Sequence, residues 1–172
     1  MDLARQVAEM LDGGPALWLA PGPRIQLPPS VGAVVATSGS TGSPRRVVLP
    51  RDALLAAARA AASRLGQLTW HLALPEGYVA GLMVHVRARL AGGVPRQAGA
   101  DLAGLLPTGD GDAISVVPTQ LYRALRDPHL VRTLAAMDAV LVGGAGLAPR
   151  LREQADAAGV RIIETYGMSE TC

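Results

Sequence analysis

The 172-residue chain has no lysine, no phenylalanine and no asparagine, and it has a single cysteine. All sixteen of its basic residues are therefore arginines. That bias runs through the whole chain, so an arginine at any one position says little about a need for its planar, forked geometry. The arginines are scattered and the formal net charge is only +2, which leaves no clustered basic face of the kind that holds nucleic acid. The lone cysteine is the final residue, Cys172, so no internal disulfide can form and a reducing cytoplasm is the expected setting. Long apolar runs are also missing. The most hydrophobic windows are broken by Arg, Gly or Pro well short of a membrane-spanning length. The opening stretch MDLARQVAEML carries acidic side chains and nothing like the apolar segment of a signal peptide. The expectation is a soluble cytoplasmic protein with no nucleic acid and no membrane among its partners.

Enough apolar material is present to build a core, since 49% of the chain is hydrophobic. Residues 2–11 have the spacing of a short amphipathic helix, and GGPALWLAPGP follows as a brief apolar run framed by turn residues. VGAVVAT (31–37) and RVVLP (46–50) are β-branched runs on either side of a Ser/Gly-rich stretch. DALLAAARAAASRL (52–65) is Ala-rich and stops at Gly66, the pattern of a helix with a glycine terminator. QLTWHLALP (67–75) reads as a strand and YVAGLMVHVRARLAGG (78–93) as a helix. The second half alternates regularly. DAISVVP (112–118) is a strand, TQLYRALRD (119–127) a helix with Thr119 as N-cap, and MDAVLVGGAG (137–146) a strand. APRLREQADAAG (148–159) is a helix with Pro149 in its first turn, and VRIIETYG (160–167) is a strand. Strand–helix–strand within about thirty residues predicts parallel βαβ units, hence an α/β fold with a mostly parallel sheet and flanking helices.

Ligands of open parallel sheets bind beyond the carboxyl ends of the strands. TSGSTG (37–42), PTQ (118–120), GGAG (143–146) and TYGMSE (165–170) each follow a predicted strand. If those strands are parallel neighbours, the stretches line one edge. In the first of them Gly39 and Gly42 free the backbone, while Thr37, Ser38, Ser40, Thr41 and Ser43 add hydroxyls. Such a nest suits an anion, phosphate above all. It is neither a Walker A loop, since Pro44 stands where Gly-Lys would begin, nor GxGxxG, and a Ser/Gly hairpin turn is the plain alternative. GGAG can let a flat ring lie on the main chain or simply make a tight turn. Tyr166 can stack on a base or pack in a core. Glu170 can hold a divalent cation or sit in solvent. Arg87 lies inside the apolar stretch GLMVHVRARL; facing outward it needs no explanation, and facing inward it needs an anionic partner such as a substrate carboxylate. His71, His85 and His129 have no metal-ligand spacing and read as structural.

Taken together, TSGSTGSPRRVVL, VLVGGAGL and TYGMSETC resemble, in order and separation, the core motifs of the adenylate-forming acyl-CoA synthetases, the AMP-binding enzymes. VPTQL and GLMVHVRARLAGG with its internal arginine are similar to the branch that makes the o-succinylbenzoate–CoA thioester of menaquinone biosynthesis; a different acyl- or aryl-CoA ligase would share the superfamily motifs alone. The resemblance implies a two-step reaction, in which a carboxylate attacks the α-phosphate of ATP and coenzyme A then displaces AMP, with Mg²⁺ assisting. Carried over by position, Thr37, Ser38, Gly39, Ser40, Thr41 and Gly42 cradle the phosphates, and Arg45 takes the place of the loop's catalytic lysine. Gly143, Gly144 and Ala145 face adenine, and Tyr166 stacks on it, with Gly167 and Met168 beside the acyl pocket. Ser169 reaches the α-phosphate and Glu170 binds the metal. Arg87 receives a substrate carboxylate, Gly81 gives it access, and Tyr78 borders the acyl pocket.

Two departures qualify that transfer. Arg45 keeps the charge of the family's lysine, but Arg46 stands where the family has glycine. The sequence also ends at Cys172, inside the third motif, which leads to the expectation of a partial N-terminal domain of an adenylate-forming enzyme, without the C-terminal domain and inactive by itself. On this reading the partners are the acid, coenzyme A and either the remaining part of such an enzyme or a second copy of the chain. The competing reading is a nucleotide-binding or interaction module that has kept the pocket and lost the chemistry.

Overall fold

The computed structural model describes residues 2–37 and 45–167. In chain order these form α1 (Leu3–Leu11), β1 (Leu17–Trp18), β2 (Val31–Ala36), β3 (Arg46–Pro50), α2 (Arg51–Leu65), β4 (Thr69–Leu72), α3 (Val79–Leu90) and β5 (Arg96–Gln97). They continue with β6 (Asp112–Val116), α4 (Pro118–Ala124), α5 (Pro128–Ala135), β7 (Ala139–Val142), α6 (Pro149–Ala157) and β8 (Ile162–Glu164).

The strands divide between two sheets. The larger is wholly parallel, in the order β5-β4-β6-β7-β8. The smaller has the order β1-β2-β3, with β2 and β3 antiparallel. This corrects the expectation that four special stretches share one sheet edge. Thr37 N–H donates to the Arg45 carbonyl at 2.9 Å, so TSGSTG connects two antiparallel strands of the smaller sheet, whereas PTQ, GGAG and TYG follow β6, β7 and β8 of the larger one.

Alternation along the parallel strands sends side chains to two separate cores. Ile114, Val116, Val140, Val142 and Ile162 meet Leu121, Ala124, Leu134, Leu151 and Ala155 from α4–α6. On the opposite face Trp70, Leu72, Ala113, Ala139 and Leu141 meet Val84 and Ala88 of α3. Helix α3 in turn presents Leu82, Met83 and Val86 to a third core, made with Val7, Met10, Ala33, Val35, Leu49 and Leu54 of α1, α2 and the smaller sheet. With both flanks covered, α3 is apolar nearly all the way round, as a central buried helix must be.

Helix starts follow local chemistry. Asp2 accepts from Ala4 N–H at 3.0 Å and Asp127 from His129 N–H at 2.8 Å, each capping orphan donors of a first turn. Proline opens α4, α5 and α6, where its missing N–H costs nothing. The cap of α4 is not Thr119: the helix begins at Pro118, Val117 is the cap residue, and Gln120 reaches back to it. Helix α5 and the two-residue strand β5 were not anticipated. Among the described residues no helix is long and apolar enough to cross a membrane.

Candidate functional site

Where β4, β6, β7 and β8 end, a cleft of about 360 Å³ opens between the sheet and α3, within the size range of sites for small molecules. Its floor is Leu74, Ser115, Val116, Val117 and Leu141, and one wall is the stripe Val79, Ala80, Met83 and Arg87 of α3. Steps of three and four residues along a helix keep that stripe on one face. The opposite rim is Gly143, Gly144, Thr165, Tyr166 and Gly167.

The cleft has a polar end with unmet demand. Arg87 points inward; its guanidinium carbon lies 5.1 Å from the centroid of the Trp70 ring, within cation–π range. Its Nε is buried without a hydrogen-bond partner among the described residues. Burial holds the guanidinium below its ordinary pKa, the mark of a cation drawn out of water, and among the described residues no carboxylate pairs with it. Ser115, near the end of β6 in the floor of the same cleft, is 7% exposed, and its Oγ also lacks a partner among the described residues. Buried polar atoms are rarely left unsatisfied. An arginine Nε–H and a serine hydroxyl left so in one cleft suit a carboxylate, which accepts from both. Sequence reasoning did not single out Ser115. The signal it could have used is the serine inside the otherwise apolar run AISVV (113–117), on the cleft-facing alternation.

The other end is shaped by glycine. A Cβ on Gly143 would collide with Thr165 Oγ1 and lie 3.2 Å from the Thr165 carbonyl. Glycine there lets the exits of β7 and β8 close together, and Gly144 follows with φ +81°. The result is an open peptide surface at the cleft mouth. Tyr166 beside it is 95% exposed, so it is no core residue, and its ring is available to a ligand.

Other sequence candidates are placed elsewhere. Tyr78 is the residue before α3, 46% exposed, and is not part of the cleft lining. Gly81 faces away from the cleft: a Cβ there would strike the Pro75 carbonyl, so the glycine serves the close packing of α3 under the turn at 75–76 rather than access to Arg87. Ala145 is exposed and outside the lining. Thr37 and Arg45 stand at the ends of β2 and β3, paired through the backbone, and do not line the cleft either. Ser38, Gly39, Ser40, Thr41, Gly42, Met168, Ser169 and Glu170 lie outside the described residues. Among the described residues no group of three or more His, Cys, Asp or Glu could hold a metal ion; Glu170, the residue given to Mg²⁺ by motif, lies outside them.

Two buried histidines are each held by a carboxylate through Nε2, while Nδ1 of each has no partner among the described residues. His71 donates from Nε2 to Asp112 Oδ1 at 2.7 Å, with both side chains buried. Asp112 Oδ2 also accepts from Thr108 N–H, Thr108 Oγ1 and Gly109 N–H at 2.7, 3.0 and 3.0 Å. Burial alone pushes the Asp112 carboxyl up, but His71, Gly109 and Thr108 together outweigh it and hold the group below its ordinary value. His85 Nε2 lies 2.7 Å from Glu76 Oε1 and ties α3 to the preceding turn. A larger hollow of about 870 Å³ lies between α4 and α6. None of its lining residues carries a buried polar atom without a partner among the described residues, and it is not where the chemistry gathers.

Comparison with known proteins bears on the fold and the family. A probable 2-succinylbenzoate–CoA ligase of Mycobacterium tuberculosis (strain CDC 1551 / Oshkosh) is 45% identical over 157 residues, 85% of this chain and 41% of that protein. The 2-succinylbenzoate–CoA ligase of Enterococcus faecalis (strain ATCC 700802 / V583) is 32% identical over 154 residues, 83% of this chain and 31% of that protein. The chain thus spans well under half the length of these relatives. Among solved structures, wild-type E. coli MenE with a bound m-phenylether-linked analogue of OSB-AMS aligns at 32% identity and a TM-score of 0.63, over 81% of this chain and 31% of that one. O-succinylbenzoate coenzyme A synthetase (MenE) from Bacillus subtilis in complex with AMP aligns at 26% identity and a TM-score of 0.68, over 83% and 31%. The family description "AMP-binding enzyme" matches residues 13–172, nearly the whole of the fold and all of the cleft, and the chain belongs to that family.

Proposed function

We propose that these residues form the acid- and adenine-binding part of an ATP-dependent acid–CoA ligase, part of its N-terminal domain, and that the acid is o-succinylbenzoate. The observation that carries the substrate is Arg87. Activation consumes one carboxylate, so a guanidinium buried in the cleft is left without a counter-charge by any monocarboxylate. A diacid supplies one carboxylate for the reaction and a second for Arg87, with Ser115 donating to the same group. The relatives' names support this choice.

On this reading adenine lies against Gly143 and Gly144 with Tyr166 over its face, and Gly167 borders the acid. Arg87 and Ser115 fix one end of the diacid, which directs the other toward the α-phosphate. A carboxylate oxygen attacks phosphorus and pyrophosphate leaves; the thiol of coenzyme A then attacks the acyl carbon, loses its proton, and AMP leaves. Ser38, Gly39, Ser40, Thr41, Gly42 and Arg45 are assigned to the phosphates by motif, as are Ser169 and Glu170, with Glu170 the intended ligand of Mg²⁺. No step is routed through that metal.

Calorimetric titration of the chain tests the reading. O-succinylbenzoate should bind about tenfold or more tighter than 4-oxo-4-phenylbutanoate, which keeps one carboxylate, and AMP should bind independently of either. Equal affinity for diacid and monoacid removes the substrate assignment. No binding of AMP or of the diacid removes the site. Pyrophosphate release with ATP, Mg²⁺ and the diacid then tells whether the 172 residues catalyse the first step unaided.

A further inference from the structure

Gln120 joins three separate segments of chain. Its Oε1 accepts from Val117 N–H at 2.9 Å, and its Nε2 donates to the Ala73 carbonyl at 2.9 Å and the Ala100 carbonyl at 3.0 Å. Ala73 lies at the exit of β4, one residue before Leu74, and Val117 at the exit of β6; Leu74 and Val117 both line the cleft, while Gln120 itself does not. Ala100 belongs to the turn after β5. That turn contains Leu102, the one non-glycine residue with positive φ (65°) among the described residues. A left-handed leucine costs about 1 kcal/mol. Here the side chain is 2% exposed and packed with Leu105 in the core, which holds it in place.

We propose that Gln120 is a positioning residue for the acid end of the cleft: it spans the gap between the exits of β4 and β6 and sets the spacing of Leu74 and Val117 beneath Arg87. The inference rests on the reading of the cleft as an acid subsite. The chemistry of the bracket selects glutamine. One amide accepts from an N–H and donates to two carbonyls; a carboxylate of the same length accepts and cannot donate, and a thioether does neither. Ala73 and Val117 each lie one residue past the end of their strand, where the ladder between β4 and β6 has stopped, so the Gln120 side chain supplies the partners there.

Two near-isosteric variants, Gln120→Met and Gln120→Glu, test this with two readouts. The first is amide hydrogen exchange of the unliganded chain. In Gln120→Met, exchange should speed up by about tenfold or more at Val117 and across 73–74 and 99–105, and stay unchanged in β7. Uniform acceleration over the sheet, or none, overturns the bracket. The second is the ratio of affinities. The dissociation constant for o-succinylbenzoate should rise about tenfold in both variants, with that for AMP little changed. A purely structural glutamine would weaken both ligands in the same proportion, and that result overturns the positioning role. If the unsubstituted chain binds neither ligand, the reading of the cleft falls on that result alone, and the exchange pattern still decides for or against the bracket.

Discussion

Replacing Arg87 with methionine should separate the needs of the fold from those of the site. In the free chain Arg87 is a cation in a poorly solvated place, its Nε unpartnered among the described residues, and its visible compensation is the Trp70 face at 5.1 Å. Losing that contact costs about 0.5–2 kcal/mol. Methionine keeps an unbranched apolar stem against the same ring and regains about 0.3–1.5 kcal/mol through its sulfur. Taking the charge out of the cleft returns a desolvation penalty, and well-packed apolar replacements of buried charges are commonly neutral or stabilising by about 1–4 kcal/mol. The sum is a chain as stable as the original or more stable by about 1 kcal/mol, a rise of about 2–4 °C in Tm for a domain of this size. Binding should move the other way. Charge-assisted hydrogen bonds to a carboxylate contribute about 1.5–3 kcal/mol, so affinity for o-succinylbenzoate should fall by about 10–150-fold. Arg87→Lys keeps the charge without the fork and should fall between, near about tenfold. Urea unfolding and calorimetry on the same preparations measure both quantities. If Arg87→Met lowers stability by more than about 1 kcal/mol, the arginine is a structural pillar and the argument fails. It fails equally if diacid binding is untouched.

Asp112→Asn should cost about 3 kcal/mol, because the amide places donors against the N–H groups of Thr108 and Gly109 and the ring of His71. The sign with pH follows from the depressed carboxyl: its contribution is fully present above the ordinary carboxylate range and disappears as pH falls through the lowered folded value, so the gap between wild type and variant in urea unfolding should narrow steadily as pH falls below the ordinary carboxylate range, and a gap that does not narrow contradicts the assignment. Gly81→Ala should destabilise by about 2 kcal/mol, since the new Cβ meets Pro75 C at 2.7 Å and Glu76 Cα at 3.0 Å, backbone atoms that cannot swing away; unchanged Tm would show that the 75–76 turn yields. Arg46→Gly should lose about 1–2 kcal/mol, as it removes the bonds to the Pro21 and Pro23 carbonyls and the stacking over Trp18, with Arg46→Lys partly restoring the Tm in thermal melts.

Most elements were legible because their local chemistry is unambiguous. The stop at Gly66, the proline opening α6 and the β-branched runs of β2 and β7 all act within a few residues of themselves. Strand β5 was not legible because it is two exposed residues, Arg96 and Gln97, with no alternation to detect; its identity comes from lying beside His71 and Leu72. Helix α5 was missed although Asp127 and Pro128 mark its start as clearly as any in the chain. Sheet membership was the larger gap. The run VGAVVA looks the same whether its neighbour is parallel or antiparallel, so nothing local separates the TSGSTG connection from the turns after β6, β7 and β8.

The site divides along the same line. Glycines and hydroxyls after strands could be read directly, while the direction of Arg87 could not, because a helix turns a side chain inward or outward according to what covers it. The sequence did hold a clue: α3 is apolar over most of its circumference, which is sensible only for a helix packed on two fronts, and on such a helix an arginine away from the ends has little solvent to reach. Arg46 carries the converse lesson. Set against a family pattern that has glycine there, it looked like damage to a phosphate loop. In the fold it reaches back to the turn at Pro21–Pro23 and lies over Trp18, partners some 25 residues upstream in sequence. A motif position can therefore be occupied for reasons that lie wholly outside the motif, and a departure from pattern argues loss of function only after such partners have been sought.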